Sequence, residues 1–256
     1  MAQALSGHNS RIALVRDLQG KKGRREQHAF AFEGATLLEE AQRSNFPINE
    51  LYVTQNAYDE TPLLHELHSQ GIPLYIIDER AFAKISDVET PTGILAVAPQ
   101  RFASLAEILA KPGVALALAD LNDPGNTGTL LRSADAFGAT GAILGNLGAD
   151  PYHPKVVRSA MGSLFRLPVT IADPNELEAA AQAAKTAIVG LDAAGTAIAP
   201  LADARSAILL AGHERHGLDR WRSICTEFAA IPMAGRAESL NAAVAGSIAL
   251  FELTRR

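Results

Sequence analysis

Cysteine is almost absent from this 256-residue chain, where Cys225 stands alone. That excludes an internal disulfide and any zinc site built from several thiolates. It fits a reducing cytoplasm. No apolar run reaches the ~20 residues of a membrane-spanning helix, so an integral membrane protein is not expected. The opening residues, MAQALSGHNSR, hold no charged segment followed by an apolar one, so no secretory signal is expected either. Excess positive charge is missing too. A formal balance of −5 argues against a protein that coats nucleic acid without specificity. A local basic patch matters more than the total, and one candidate exists. Arg11, Arg16, Lys21, Lys22, Arg24 and Arg25 crowd a short stretch in which only Asp17 and Glu26 are acidic. The chain has no internal repeat, no low-complexity tract and no metal-ligand pattern.

What is present is a soluble globular composition, 48% hydrophobic and 20% charged, long enough for two modest domains. Through the first half, helix-like and strand-like segments alternate. Helical spacing marks residues 11–19, 35–43 and 61–69, and strands are predicted over 29–32, 50–53, 73–77 and 94–98. Strands separated by helices imply an α/β layer. A helix over 101–110 ends at Lys111-Pro112-Gly113. This places one domain over residues 1–103, a linker over 104–113 and a second domain over 114–256. The second domain opens on VALALA, apolar on both sides, which suits a central parallel strand covered on both faces. Further strands are predicted over 141–144, 167–171, 187–191, 207–210 and 228–231, with helices over 129–137, 154–162, 175–184 and 217–224. A last helix over 240–253 would line one face with Leu240, Val244, Ile248 and Phe251.

Three polar bends fall at the carboxyl ends of these parallel strands, where ligands of such folds bind. In the first, NDPGNTGTLLRSADAFGA (residues 122–139), Asp123-Pro124-Gly125-Asn126 is a turn by composition. Thr127 or Thr129 could cap the helix that follows. A start near Thr129 would put Arg132 in the first turn, close to Asn126. The loop has neither the Gly-x-Gly-x-x-Gly spacing of a dinucleotide fold nor the Gly-Lys-Ser/Thr ending of a P-loop. In the second, LLAGHERHGLD (residues 209–219), Gly212 permits close backbone approach to a ligand, and Glu214 lies in the turn before a helix. In the third, Ile231-Pro232-Met233 leads through a loop to Ser239-Leu240-Asn241. Ser239 is the plausible N-cap there, and Asn241 in a first turn costs helix propensity unless its side chain has another task. Each bend alone also reads as an ordinary capped turn.

Taken together and in this order, three elements resemble the signature of the SpoU/TrmH family of RNA ribose 2′-O-methyltransferases. They are Asn126 with Arg132, then Gly212-x-Glu214-x-x-Gly217-Leu218, then Ile231-Pro232-Met233 leading to Ser239-Leu240-Asn241. The resemblance spans roughly residues 114–256. It implies a parallel α/β domain whose C-terminal segment is threaded as a trefoil knot, a rare arrangement. It also implies S-adenosylmethionine as methyl donor, held by Gly212, Ile231 and Leu240, and a homodimer with the active site at its interface. The residues RREQHAFAFEG (24–34) and TPTGILAVA (90–98) resemble the ribosomal-protein-like RNA-binding domain of some members. That points to ribosomal RNA as substrate, with Lys21, Lys22, Arg24 and Arg25 as candidate backbone contacts. His153, Lys155 and Arg158 form a second candidate surface.

In the family Arg132 is the favoured catalytic residue. A guanidinium keeps its proton far above neutral pH, and a neighbouring phosphate holds that proton more tightly still. Its expected task is therefore to hold the phosphate beside the target ribose and to stabilise alkoxide charge. Glu214, Ser239 and Asn241 would then orient the arginine, the ribose and the donor, and Asn126 is a further catalytic candidate. Two alternatives share the scaffold: a tRNA 2′-O-methyltransferase, and a non-catalytic RNA-binding or ribosome-assembly protein. A hydrolase using Ser239 with His213 or His216 would need a Gly-x-Ser-x-Gly elbow, which is missing.

Overall fold

Alternation of side chains sets the architecture of the N-terminal part. The computed structural model describes residues 3–5, 9–198, 206–213, 217–235 and 239–255. The chain divides into two compact units, Met1–Gln100 with Tyr152–Phe165, and Arg101–Pro151 with Arg166–Arg256. The first unit holds β1 (Gln3–Ala4), α1 (Ser10–Asp17), α2 (Lys21–Gln27), β2 (Ala29–Glu33), α3 (Ala35–Arg43) and β3 (Glu50–Val53). It continues with α4 (Gln55–Glu60), α5 (Pro62–Ser69), β4 (Leu74–Ile76), α6 (Glu79–Phe82) and β5 (Ile94–Pro99). The strands form one mixed sheet in the order β1-β4-β3-β5-β2. Successive residues of a strand point to opposite faces. One face, with Tyr52, Tyr75, Leu95 and Val97, packs on Ile12, Val15 and Phe82. On the other, Phe30 meets Tyr152 at 4.5 Å between ring centroids and Phe32 meets Phe165 at 4.9 Å. These aromatic contacts draw residues 152–165 into the first unit, whereas the sequence reading kept them with the second domain.

Three short helices, α2, α4 and α6, were not expected. The last two start on side-chain caps, Thr54 and Asp78, each accepting a hydrogen bond from a backbone N–H three residues on. The basic stretch is not a loop. Residues 21–27 are helical, and Arg24 is only 1% exposed. Its guanidinium donates to the carbonyls of Leu18 (2.9 Å) and Gln19 (2.8 Å) at the end of α1. These are orphan acceptors of a helix C-terminus, which a cation suits. Arg24 is therefore a structural cap and leaves the candidate RNA surface, while Lys21, Lys22 and Arg25 remain exposed. Arg158 also has a local task, as an ion pair with Asp87, and the His153 ring accepts from the Lys155 N–H as a helix cap.

The second unit contains α7 (Leu105–Leu109), β6 (Val114–Leu118), α8 (Pro124–Ala136), β7 (Ala142–Gly145), β8 (Val169–Ala172) and α10 (Pro174–Ala184). It continues with β9 (Ala187–Ala197), β10 (Ala207–Ala211), β11 (Glu227–Ala230) and α11 (Ala242–Thr254); α9 (Pro154–Ala160) lies in the first unit. All six strands run parallel in the order β11-β9-β10-β6-β7-β8. The apolar run of β6 lies next to the middle of this sheet and is buried at every residue. Its Ala115 and Ala117 pack with Ile108, Leu177 and Trp221 on one face, while α8 and α11 cover the other.

The last helix does not bury the face that its spacing suggested. Its buried residues are Ala242, Ala243, Gly246, Ala249, Leu250 and Leu253. Val244, Ile248 and Phe251 are 48%, 38% and 45% exposed. The small residues let α11 lie close on α8, and the large ones are left on the outside. No described helix is long and apolar enough to cross a membrane.

Replacing Arg24 by Met keeps the apolar stem but leaves the Leu18 and Gln19 carbonyls without their charged donor. Urea denaturation of Arg24→Met is expected to show a loss of about 1.5–3 kcal/mol, with a lower midpoint and an unchanged slope. An unaltered midpoint would contradict the capping role.

Candidate active site

The parallel sheet brings the first and second bends to neighbouring strand ends. β6 and β10 are paired in register from Val114↔Ala207 to Leu118↔Ala211. The first bend leaves β6 and the second leaves β10. Between these two strands the order of the sheet reverses, which opens a crevice at the carboxyl edge.

The first bend starts its helix earlier than expected. Asp123 is the N-cap, accepting from the Asn126 N–H at 2.7 Å, and Pro124 takes the first helical position. The Thr127 and Thr129 hydroxyls donate back to the carbonyls of Asp123 and Gly125, so neither is the cap. Asn126 thus lies in the first turn and Arg132 in the third. Six residues of helix separate them by about 9 Å along the axis and about 240° around it. Arg132 is exposed on the outside of α8 and does not stand beside Asn126.

The second bend is pinched shut. His213 and Gly217 exchange backbone hydrogen bonds of 2.9 and 2.8 Å. A Cβ on Gly212 would fall 2.3 Å from the Gly217 carbonyl oxygen, so this closure requires glycine. Glu214 and His216 lie outside the described residues. The segment after the bend is a 3-10 helix, Asp219–Ile224.

In the third bend the cap is Asn241, not Ser239. The Asn241 side-chain Oδ1 accepts from the N–H groups of Ala243 (2.9 Å) and Val244 (3.2 Å). Its amide nitrogen then faces away from the helix and donates to Asn126 Oδ1 at 3.2 Å. This bond links residues 115 apart in sequence and ties the third bend to the first. Nearby, Ser133 and Ser247 share a hydrogen bond of 2.7 Å between α8 and α11.

A cavity of about 540 Å³ opens between the second and third bends. Gly212, Ile231, Leu240 and Ser239 all line it, with Asp192 and Ala193 from β9 opposite. Ligand pockets for small molecules fall at about 300–1,000 Å³ with largely apolar walls and a few placed polar groups. A nucleoside-sized molecule fits that description. Among the described residues no cluster of His, Cys, Asp or Glu could hold a metal ion.

Comparison with known proteins decides the family. Residues 113–251 match the SpoU rRNA Methylase family, and residues 9–96 match the MRM3-like substrate binding domain. The 23S rRNA (guanosine(2553)-2'-O)-methyltransferase RlmP of Bacillus subtilis is 34% identical, over 99% of both chains. An AdoMet-bound rRNA methyltransferase from Sinorhizobium meliloti superposes with a TM-score of 0.87 at 30% identity, covering 98% of this chain and 97% of that one. The SpoU methyltransferase AviRb of Streptomyces viridochromogenes, in complex with AdoMet, gives 0.85 at 30% identity, covering 96% and 97%. The chain belongs to the SpoU rRNA methylase family.

Beside the bends, this SpoU family member carries an ionic clamp that the sequence reading missed. Asp120, at the end of β6, accepts from Arg220 Nε (2.7 Å) and Nη2 (3.0 Å), Trp221 Nε1 (2.8 Å) and the Leu147 N–H (3.1 Å). Arg220 also donates to Asn146. The clamp joins the ends of β6 and β7 to the helix after the second bend. Burial pushes the Asp120 carboxyl up, but the hydrogen bonds from Arg220, Trp221 and Leu147 outweigh it and hold the group below the usual carboxylate range. The signal in the sequence was slight: an acid one residue past an apolar run, with its partner 100 residues away. Cys225 is half-buried, and that burial pushes its thiol up to about 11, so it stays protonated and inert at neutral pH.

A depressed folded-state value means the charged form of Asp120 favours folding. Its contribution is complete above the unfolded value of about 4 and is lost as pH falls through the lower folded value. Asp120→Asn is expected to cost about 1–2 kcal/mol at neutral pH. The gap to the parent protein should close as thermal melts are taken below about pH 4. A gap independent of pH would contradict the ionic account.

Proposed function

We propose that this protein transfers a methyl group from S-adenosylmethionine to a ribose 2′-hydroxyl of large-subunit ribosomal RNA. The observation that carries the reading is the cavity between the second and third bends, tied to the first through the Asn126–Asn241 bond. Relatives over the full length of the chain support the substrate class: RlmP is named for ribose methylation of 23S rRNA.

The residues present suit this donor. Gly212, Ile231 and Leu240 offer backbone groups and apolar surface for an adenosine, and Gly212 has no side chain to intrude. The bound donor supplies a methyl group activated by a sulfonium. Asn241 donates to Asn126 Oδ1 and so holds the Asn126 amide beside the start of α11. Ser239, exposed at the rim, is placed to orient the incoming sugar. Glu214 keeps the orienting role expected of it from the sequence. Alignment of oxygen, methyl and sulfur is the main demand of such a displacement. Arg132 keeps its proton, so it acts as a clamp on the phosphate beside the target ribose and as a counter-charge to the alkoxide, not as a base.

The position of Arg132 supports a homodimer. It lies on the outside of α8, a helix that packs on α11 through Ser133–Ser247 and Phe137–Phe251. Val244, Ile248 and Phe251 form an exposed apolar stripe along α11. A second copy covering that stripe would bury it and bring its own Arg132 towards this cavity. The knotted threading of the family is supported by the strand order. β10 lies inside the sheet between β9 and β6, β11 pairs outside β9, and α11 then returns to pack on β10, β6 and α8. The first unit presents the RNA, with Lys21, Lys22 and Arg25 reaching its backbone. The protein works in the cytoplasm, where ribosomal RNA is modified.

Mapping of ribose methylation across ribosomal RNA, with and without the gene, tests the function directly. One 2′-O-methyl position in large-subunit RNA is expected to vanish and to return on complementation. An unchanged map with the protein expressed in the parent cells would refute the reading. Arg132→Lys keeps the charge but loses the planar fork. It is expected to slow methylation at least ~100-fold with donor affinity unchanged. A near-parental rate in that variant would refute the positioning role.

A further inference from the structure

One wall of the cavity is an excursion from the sheet. β9 pairs Gly190 with Phe228 and Thr196 with Ala229, so residues 191–195 fall between two consecutive positions of β11. Gly195 makes the return possible, because a Cβ there would lie 2.7 Å from the Phe228 carbonyl carbon. Asp192 fixes the shape. Its Oδ1 accepts from the Ala194 N–H at 2.8 Å, and its Oδ2 pairs with Arg222. The Arg222 guanidinium in turn lies over the Phe228 ring, 4.4 Å from its centroid.

Asp192 lines the cavity and is the only Asp, Glu, Lys or Arg among the described lining residues. Hydrogen bonds from Arg222 and from the Ala194 N–H hold its carboxyl below the usual range, against a smaller effect of burial. The wall therefore carries an ionised carboxylate, and its partner Arg222 lies outside the lining. The ligand of this cavity changes charge during turnover. S-Adenosylmethionine has a sulfonium and an ammonium against one carboxylate, a net positive charge. Its demethylated product is a neutral thioether with no net charge.

We propose that Asp192 is a specificity residue that makes the cavity prefer the charged donor to the spent product. The inference rests on the reading of the cavity as the S-adenosylmethionine site. Product that binds as well as donor would hold the enzyme idle, and a carboxylate in the wall weakens only the neutral competitor in relative terms. Donor and product differ by one methyl and one charge, and it is the charge on which the carboxylate acts.

Calorimetric titration of the full chain with S-adenosylmethionine and with S-adenosylhomocysteine tests the proposal. The readout is the ratio of product Kd to donor Kd. Asp192→Asn keeps an oxygen for the Ala194 N–H, so the excursion keeps its turn while the charge goes. The ratio is expected to fall at least ~3-fold, the low end for a partly screened unit charge at this range. Arg222→Gln leaves the carboxylate undiminished, and there the ratio is expected to hold or rise. Equal weakening of both ligands by Asp192→Asn, with the ratio unchanged, would reduce Asp192 to a shape-holding residue and overturn the proposal. A fall of the ratio in Arg222→Gln would overturn it as well, and that arm stands if Asp192→Asn does not fold. Folded parent protein that takes up neither ligand would instead overturn the assignment of the cavity.

Discussion

Asn241 is where the geometry of the site is set. An asparagine amide has two ends of opposite character. Here the helix claims the oxygen, because two N–H groups at the start of α11 need an acceptor. The nitrogen is thereby aimed at Asn126, which is itself held in the first turn of α8 by the Asp123 cap. Two helix starts, each with orphan donors to satisfy, are locked to each other by one side chain. The third bend is anchored to the first at this point, with Ser239 and Leu240, just before it, lining the cavity. Replacing the cap with serine or aspartate would preserve the helix but lose the donor to Asn126.

Around this contact the strand ends are held by charge. Asp120 gathers Arg220, Trp221 and the Leu147 amide at the ends of β6 and β7. Asp192 does the same for the excursion within β9, with Arg222 and the Ala194 amide. Both arginines come from the 3-10 helix Asp219–Ile224. That short helix, directly after the pinched bend at Gly212, connects the crevice beside β6 to the wall of the cavity. A carboxylate with several donors is a stiff joint: each Asp120 oxygen takes two donors, and each Asp192 oxygen takes one. The parallel sheet brings the loops to one edge, and these joints set their positions there.

Much of this was legible in the sequence, and the failures have physical reasons. The β6 run, the helix Ala35–Arg43 and the strand Glu50–Val53 follow from periodicity, since burial there is decided by one or two covered faces. The α/β architecture rests on the same regularity, whereas the family resemblance rests on the polar residues of the three bends. The start of α8 was misplaced because Thr127 and Thr129 looked like caps, while Asp123 before Pro124 was already a complete one. Ser239 has the residue type of a cap, but the helix starts at Ala242, and the Asn241 side chain accepts its first free N–H groups. The spacing of Val244, Ile248 and Phe251 marks one apolar face, which is left exposed, because periodicity does not tell what covers such a face. Arg24 looked like its exposed neighbours, and only the fold shows that its turn of α2 points at the end of α1. Residues 152–165 sit between two strands of the second unit in sequence yet belong to the first, a placement that rests on aromatic contacts with Phe30 and Phe32.

A crystal structure of this chain grown with S-adenosylmethionine is the most direct test of the convergence of the three bends. The account predicts the adenosine between Gly212, Ile231 and Leu240, with the sulfonium methyl facing the Asn126–Asn241 pair. Donor bound at another place, or an empty cavity with the bends where they stand here and donor in excess, would contradict it.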